Sequence, residues 1–276
     1  MTRSARRTRR TLQVAGTAAV ALLALSACSS SDDSSASPGS SASASTGSSK
    51  KLSGTVTVFA AASLKESFTA LGKEFEKAHP GTKVTFSFGG SDTLAASITG
   101  GAPADVFAAA SPKTMAIVTD KKDAAGPPAT FVRNQLEIAT LPGNPDKITS
   151  LKDLTKPGPK VVLCDKTVPC GAAAQKALAA SNLKLTPVSY EQDVKSALTK
   201  VELKEADAAV VYKTDVKAAG GKVDGVEFPE SAKAINDYPI ALLKDAPNAA
   251  AAKSFIALVR SAEGRRVLTA AGFLKP

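Results

Sequence analysis

One recurrent pattern constrains the fold of this chain more than any other: a short apolar run, a turn of small residues, then an amphipathic helix. Residues 55–60 (TVTVFA) have the alternation and β-branched content of a strand. After Ala61 and Ala62, Ser63-Leu64-Lys65-Glu66 has the spacing of a capping box, in which the Ser and Glu side chains would satisfy early helix N–H groups. Leu64, Phe68, Leu71 and Phe75 then repeat at helical spacing, and His79-Pro80-Gly81 ends the helix. The pattern returns at residues 83–88 (KVTFSF), followed by Gly89-Gly90-Ser91-Asp92 and a helix through Leu94 and Ile98. It returns again at residues 160–163 with a helix over 172–180, and residues 206–212 (ADAAVVY) form a fourth strand. Strands alternating with helices at this spacing predict α/β layering with parallel pairing.

In open sheets of this kind ligands bind beyond the carboxyl ends of the strands, where helices begin. Ser63, Ser91, the Cys170-Gly171 pair and Tyr212 all fall at such junctions. They offer hydroxyls and unpaired backbone N–H groups at the positive ends of helices, which is the equipment of an anion site.

The amino terminus predicts export. Arg3, Arg6, Arg7, Arg9 and Arg10 precede an apolar stretch over residues 14–27, which is shorter than the roughly 20 residues that span a bilayer. Leu25-Ser26-Ala27-Cys28 resembles a bacterial lipoprotein cleavage box, with Cys28 as the lipidated residue; the alternative is an ordinary signal peptide with an incidental cysteine. Thr8-Arg9-Arg10-Thr11-Leu12 partly matches a twin-arginine signal, leaving the export route open. Residues 29–51, almost all Ser, Ala, Gly, Asp, Pro and Thr, have nothing to bury and form a flexible linker. Removing the five arginines before Cys28 reduces the formal charge from +10 to about +5. With thirteen aromatics in the whole chain and its lysines scattered among carboxylates, a nucleic-acid surface is not expected.

Export leaves Cys164 and Cys170 as an even pair in an oxidising compartment. A zinc site wants four ligands, and the single histidine, His79, lies far away in sequence. A thioredoxin-like centre wants two intervening residues, and a cysteine nucleophile wants a nearby base. A structural disulfide is the expected state, stiffening its local turn.

Longer segments carry a resemblance. "VTVFAAASL" (56–64), "SFGGSDTLAASITGGAPADVF" (87–107), "VPCGAAA" (168–174), "QDVKSALTKVELKEADAAVVYKTD" (192–215) and "FPE" (228–230) resemble, in order and at similar spacing, the molybdate-binding proteins of ABC transporters. The resemblance implies the two-lobed α/β fold of class II periplasmic binding proteins, with molybdate or tungstate bound between the lobes and passed to a membrane permease and its ATPase. It implies no enzymatic activity and no cofactor. Molybdenum would enter only as the oxyanion, without direct protein–metal ligands, and the protein would act as a monomer held to the membrane by its lipid.

Matched residue by residue, the family's ligand contacts fall on Ser63, Ser91, Cys170, Val194 and Tyr212, with Cys170 in place of a more usual alanine and contributing through its backbone. Asp92 stands where a small neutral residue is expected, and its carboxylate is expected to point away from the anion, favoured by the start of its helix. A disulfide would clamp the turn that presents the Cys170 donors. A ring of neutral donors suits a buried dianion, because every oxygen must be hydrogen-bonded and bonds to charged acceptors are strong. It disfavours monohydrogen phosphate, whose proton would find no acceptor, and a cavity sized for longer metal–oxygen bonds leaves sulfate's contacts stretched.

The expected organisation is a signal peptide (1–27), a lipidated cysteine and linker (28–51), lobe 1 (52–133 and 237–276) and lobe 2 (134–236). Residues 135–141 and 238–243 are the candidate crossovers, and apolar helices over 249–259 and 262–271 close lobe 1. Two rival readings share parts of this pattern: a class II binding protein for sulfate, phosphonate or iron, and a secreted hydrolase using Ser63 or Ser91 as nucleophile with a base nearby, for which the sole histidine, His79, is badly placed at the far end of the first helix.

Overall fold

The computed structural model describes residues 51–276. The export signal, the lipidation site at Cys28 and nearly all of the linker therefore lie outside the described residues.

The elements in chain order are β1 (Gly54–Ala61), α1 (Lys65–Ala78), β2 (Thr82–Gly89), α2 (Ser91–Thr99), β3 (Val106–Ala108), α3 (Pro112–Asp120), β4 (Ala129–Asn134) and β5 (Leu136–Thr140). They continue with β6 (Val161–Cys164), α4 (Pro169–Ala180), β7 (Ser189–Glu191), α5 (Val194–Glu202), β8 (Ala208–Tyr212), α6 (Lys213–Ala218), β9 (Asp224–Val226), β10 (Asn236–Leu242), α7 (Ala249–Arg260) and α8 (Ala262–Ala270). Two five-stranded sheets result, ordered β2-β1-β3-β10-β4 and β7-β6-β8-β5-β9, each flanked by helices. This is the two-lobed class II binding-protein fold.

Parallel pairing holds for β1 with β2 and β3, and for β6 with β7 and β8. β10 and β5 run antiparallel to their neighbours. These strands lie next to the points where the chain passes between sheets, so they enter against the direction set by the strand–helix repeats. The β10 ladder shifts register between Tyr238 and Pro239, where proline has no N–H to donate.

The predicted helical stripe of α1 is its buried face: Phe68, Leu71 and Phe75 are essentially inaccessible, and Phe68 and Phe75 both meet Phe255 of α7 edge-on. Burying each such side chain contributes roughly 1.5–3 kcal/mol. The second lobe packs Val161, Val162, Leu163, Ala197, Leu198 and Val201 around its sheet. Ala62, at the end of β1, belongs to this second cluster, so the tip of one lobe is packed into the other.

The capping box at Ser63 does not form. Residues Ala62–Leu64 make a turn of 3-10 helix, and α1 starts only at Lys65 without a side-chain cap. Ser63 Oγ instead meets the Tyr238 hydroxyl at 2.8 Å, and Glu66 turns to Lys195. Tertiary partners displaced the local ones. The third helix also begins earlier than expected, at Pro169, so Cys170 sits in the first turn of α4 rather than in the turn before it. Proline at the first helical position makes this early start favourable.

Candidate functional site

The turns after five strand ends converge on one small cavity of about 20 Å³, far below the roughly 300–1,000 Å³ of sites for drug-sized ligands. Ser63, Ser91, Cys170, Val194 and Tyr212 all line it, and each is less than 5% exposed. Ser63 and Ser91 come from the first lobe; Cys170, Val194 and Tyr212 come from the second. The cleft is closed over them. Among the described residues, no lysine, arginine or histidine lines the cavity.

The α4 and α5 walls are helix starts with unpaired N–H donors. In α4, Pro169 has no N–H, and the N–H groups of Cys170 and Gly171 precede the first intrahelical bond, from Ala172 to Val168. The Cys164–Cys170 disulfide ties this turn to the end of β6, with Cα atoms 5.8 Å apart. Gly171 is required here: a Cβ would lie 2.6 Å from the Cys164 carbonyl oxygen and closer still to that of Asp165. Asp165 braces the same loop by accepting from the Thr167 N–H (2.8 Å) and hydroxyl (2.7 Å), bonds that hold its carboxyl below the usual range.

Asp193 caps α5 by accepting from the N–H groups of Lys195 (2.8 Å) and Ser196 (3.0 Å). The Val194 N–H, at the first helical position, is left for the cavity. Asp193 also lines the cavity, with its carboxylate bonded to its own helix start. Asp92 behaves differently. It does not line the cavity, in keeping with the expectation that it points away, yet its Oδ1 is buried with no hydrogen-bond partner among the described residues. It lies against Gly90, where a Cβ would fall 2.8 Å from it and 2.7 Å from the Gln192 carbonyl of the opposite lobe.

Behind the cavity is a buried polar network that sequence reasoning missed. Asn236 Nδ2 donates to the Tyr212 hydroxyl (2.6 Å) and to the Pro169 carbonyl (3.3 Å). Asn134 Nδ2 donates to Thr214 Oγ1 (2.9 Å) and to the Tyr238 hydroxyl (3.3 Å). Asn134 and Asn236 face one another in the β4–β10 ladder, where the chain passes between lobes. Burial raises the Tyr212 hydroxyl well above its ordinary pKa, with the nearby Tyr238 hydroxyl adding to the shift; burial raises Tyr238 also. Both remain donors. The one local signal for this network is two asparagines beside the crossover strands.

Lys195 ties the lobes together, pairing with Glu66 at 3.0 Å across the cleft and with Asp215 at 3.1 Å within its own lobe. Burial alone would lower its pKa, but Asp215 and Glu66 outweigh that and raise it. Asp215 in turn accepts from the Tyr212 N–H at 3.2 Å, fixing the backbone from which Tyr212 projects.

The sequence profile of bacterial extracellular solute-binding proteins matches residues 56–274, taking in both sheets. The chain belongs to this family. As a solute-binding protein it is not an enzyme, and the site agrees: His79 stacks on Phe75 at the far end of α1 and offers no base to Ser63 or Ser91. The resemblance found in its sequence holds. The solute-binding chain is 45% identical over 222 residues to the molybdate-binding protein ModA of Mycobacterium tuberculosis, covering 80% of this chain and 85% of that one. Among solved structures, the periplasmic molybdate-binding protein of Azotobacter vinelandii superposes with a TM-score of 0.69 at 21% identity, over 80% and 99% of the two chains. A sulfate-binding protein of M. tuberculosis superposes almost as well, with a TM-score of 0.68 at 18% identity, over 79% and 86%. At these identities the superpositions establish the fold alone.

Proposed function

We propose that the protein captures molybdate, and tungstate with it, between its lobes and delivers it to the permease and ATPase of an ABC importer. The observation carrying this reading is the convergence of Ser63, Ser91, Cys170, Val194 and Tyr212, all buried and neutral, on one cavity between the sheets. The 45% identity to a protein named for molybdate supports the choice of oxyanion. In this reading Ser63, Ser91 and Tyr212 donate through their hydroxyls, and Cys170 and Val194 through backbone N–H groups. The first three come from elements of both lobes, so the anion's binding energy favours closure. Molybdenum is held only through its oxygens. The protein works as a monomer, anchored to the outer face of the cell membrane by lipid on Cys28, with residues 29–51 as the tether.

Calorimetric titration with molybdate, tungstate, sulfate and phosphate tests the reading. One-to-one binding of the first two, with the others silent, is expected. Binding of sulfate with molybdate silent would assign the cavity to a different oxyanion and overturn it.

A further inference from the structure

The direction of each hydroxyl proton in the cavity can be worked out from groups that cannot reverse. Asn134 Oδ1 accepts from the Gln135 N–H at 3.0 Å, which fixes the amide so that Nδ2 faces the Tyr238 hydroxyl. An amide N–H only donates, so the Tyr238 oxygen accepts and its own proton is free to turn to Ser63 Oγ, 2.8 Å away. With the Tyr238 proton on that side, Ser63 Oγ accepts from behind and its own proton is left for the cavity. The other two hydroxyls follow the same rule. Ser91 Oγ accepts from the Ala110 N–H at 3.0 Å. The Tyr212 oxygen accepts from Asn236 Nδ2, whose orientation is fixed in turn by the Pro169 carbonyl.

We propose that Tyr238, oriented by Asn134, is a positioning residue that sets Ser63 as a hydrogen-bond donor toward the bound oxyanion. Tyr238 is wholly buried and does not line the cavity, so it acts through the cavity residues it touches, Ser63 foremost. Ser91 and Tyr212 likewise each accept from a fixed N–H donor, which leaves their protons available to a bound anion. This inference rests on the oxyanion reading above, since it concerns the same hydroxyls.

The test is a double-mutant cycle on the purified full-length protein, read by titration with molybdate. Tyr238→Phe and Ser63→Ala should each weaken binding about tenfold or more, the cost of one lost or misdirected bond to a charged group. The double variant should bind no worse than Ser63→Ala alone. Losses that multiply in the double variant, or unchanged binding by Tyr238→Phe, would overturn the proposal. Should Tyr238→Phe fail to fold, Asn134→Asp serves in its place. A carboxylate there accepts the Tyr238 proton, which turns the Ser63 proton away from the cavity. Its loss of affinity should shrink in the Ser63→Ala background, whereas a loss of equal size there would mark simple charge repulsion and overturn the relay. If the unaltered protein binds sulfate and not molybdate, the proposed ligand fails while the cycle, run with sulfate, still decides the role of Tyr238.

Discussion

Glu66 and Lys195 meet across the cleft at 3.0 Å, one on the first helix of lobe 1 and the other on the helix that presents the Val194 N–H. Glu66 is half exposed, and pairs of this kind contribute about 0–1 kcal/mol. Glu66→Gln is therefore expected to weaken molybdate binding less than about fivefold and to leave the thermal midpoint of the ligand-free protein nearly unchanged. Titration and melting of the variant check this, and the small effect should fade further in high salt.

The other partner of Lys195 gives a pH signature. Full burial raises the Asp215 carboxyl to about 6, against the opposing pull of Lys195. The folded state thus holds this proton more tightly than the unfolded chain does. The group's stabilising contribution is complete below its ordinary pKa of 3.8 and is lost as pH rises through about 6. The lost contribution is on the order of a few kcal/mol. In melts between pH 4 and pH 7, the stability of the native protein relative to Asp215→Asn should decline as pH rises. A flat difference across that range would contradict this account.

The disulfide spans a six-residue separation, and closing so short a loop is worth about 2 kcal/mol. Replacing Cys164 and Cys170 together by serine should preserve the fold, lower the melting temperature, and weaken anion binding several-fold by loosening the first turn of α4. Titration and melting of the double variant measure both effects. Unchanged affinity with a lowered melting temperature would reduce the bond to a stability element.

The donors themselves carry the largest predicted effects. Ser91→Ala and Tyr212→Phe each remove one hydrogen bond to a charged acceptor, worth about 1.5–3 kcal/mol, and should raise the molybdate Kd at least tenfold. Cys170→Ala, measured beside Cys164→Ala so that the disulfide is absent from both, should differ little from it, because the backbone N–H survives.

The repeats of strand, turn and helix were legible because burial imposes a period on the sequence: Val84, Phe86 and Phe88 alternate along β2, and Phe68, Leu71 and Phe75 share one face of α1. The five cavity residues were legible through the resemblance and through their places at strand ends. The support behind them was not. Ser63 and Tyr238 are 175 residues apart, and Asn134 and Tyr238 are 104 apart, so no local pattern announces their contact. The Ser63 capping box failed for the same reason: a favourable local arrangement was outcompeted by partners that only the closed lobes bring near.

The cavity walls are divided between the lobes, and most of their residues are buried where these meet. An oxyanion can then neither enter nor depart while the walls are joined. Its residence time is bounded below by how often the molecule gapes, whatever the strength of a single contact. A competitor at high concentration cannot displace the occupant directly; it must wait for a vacancy. Exchange of one anion for another should thus plateau at a rate independent of the incoming anion, as it does in a turnstile with a single berth.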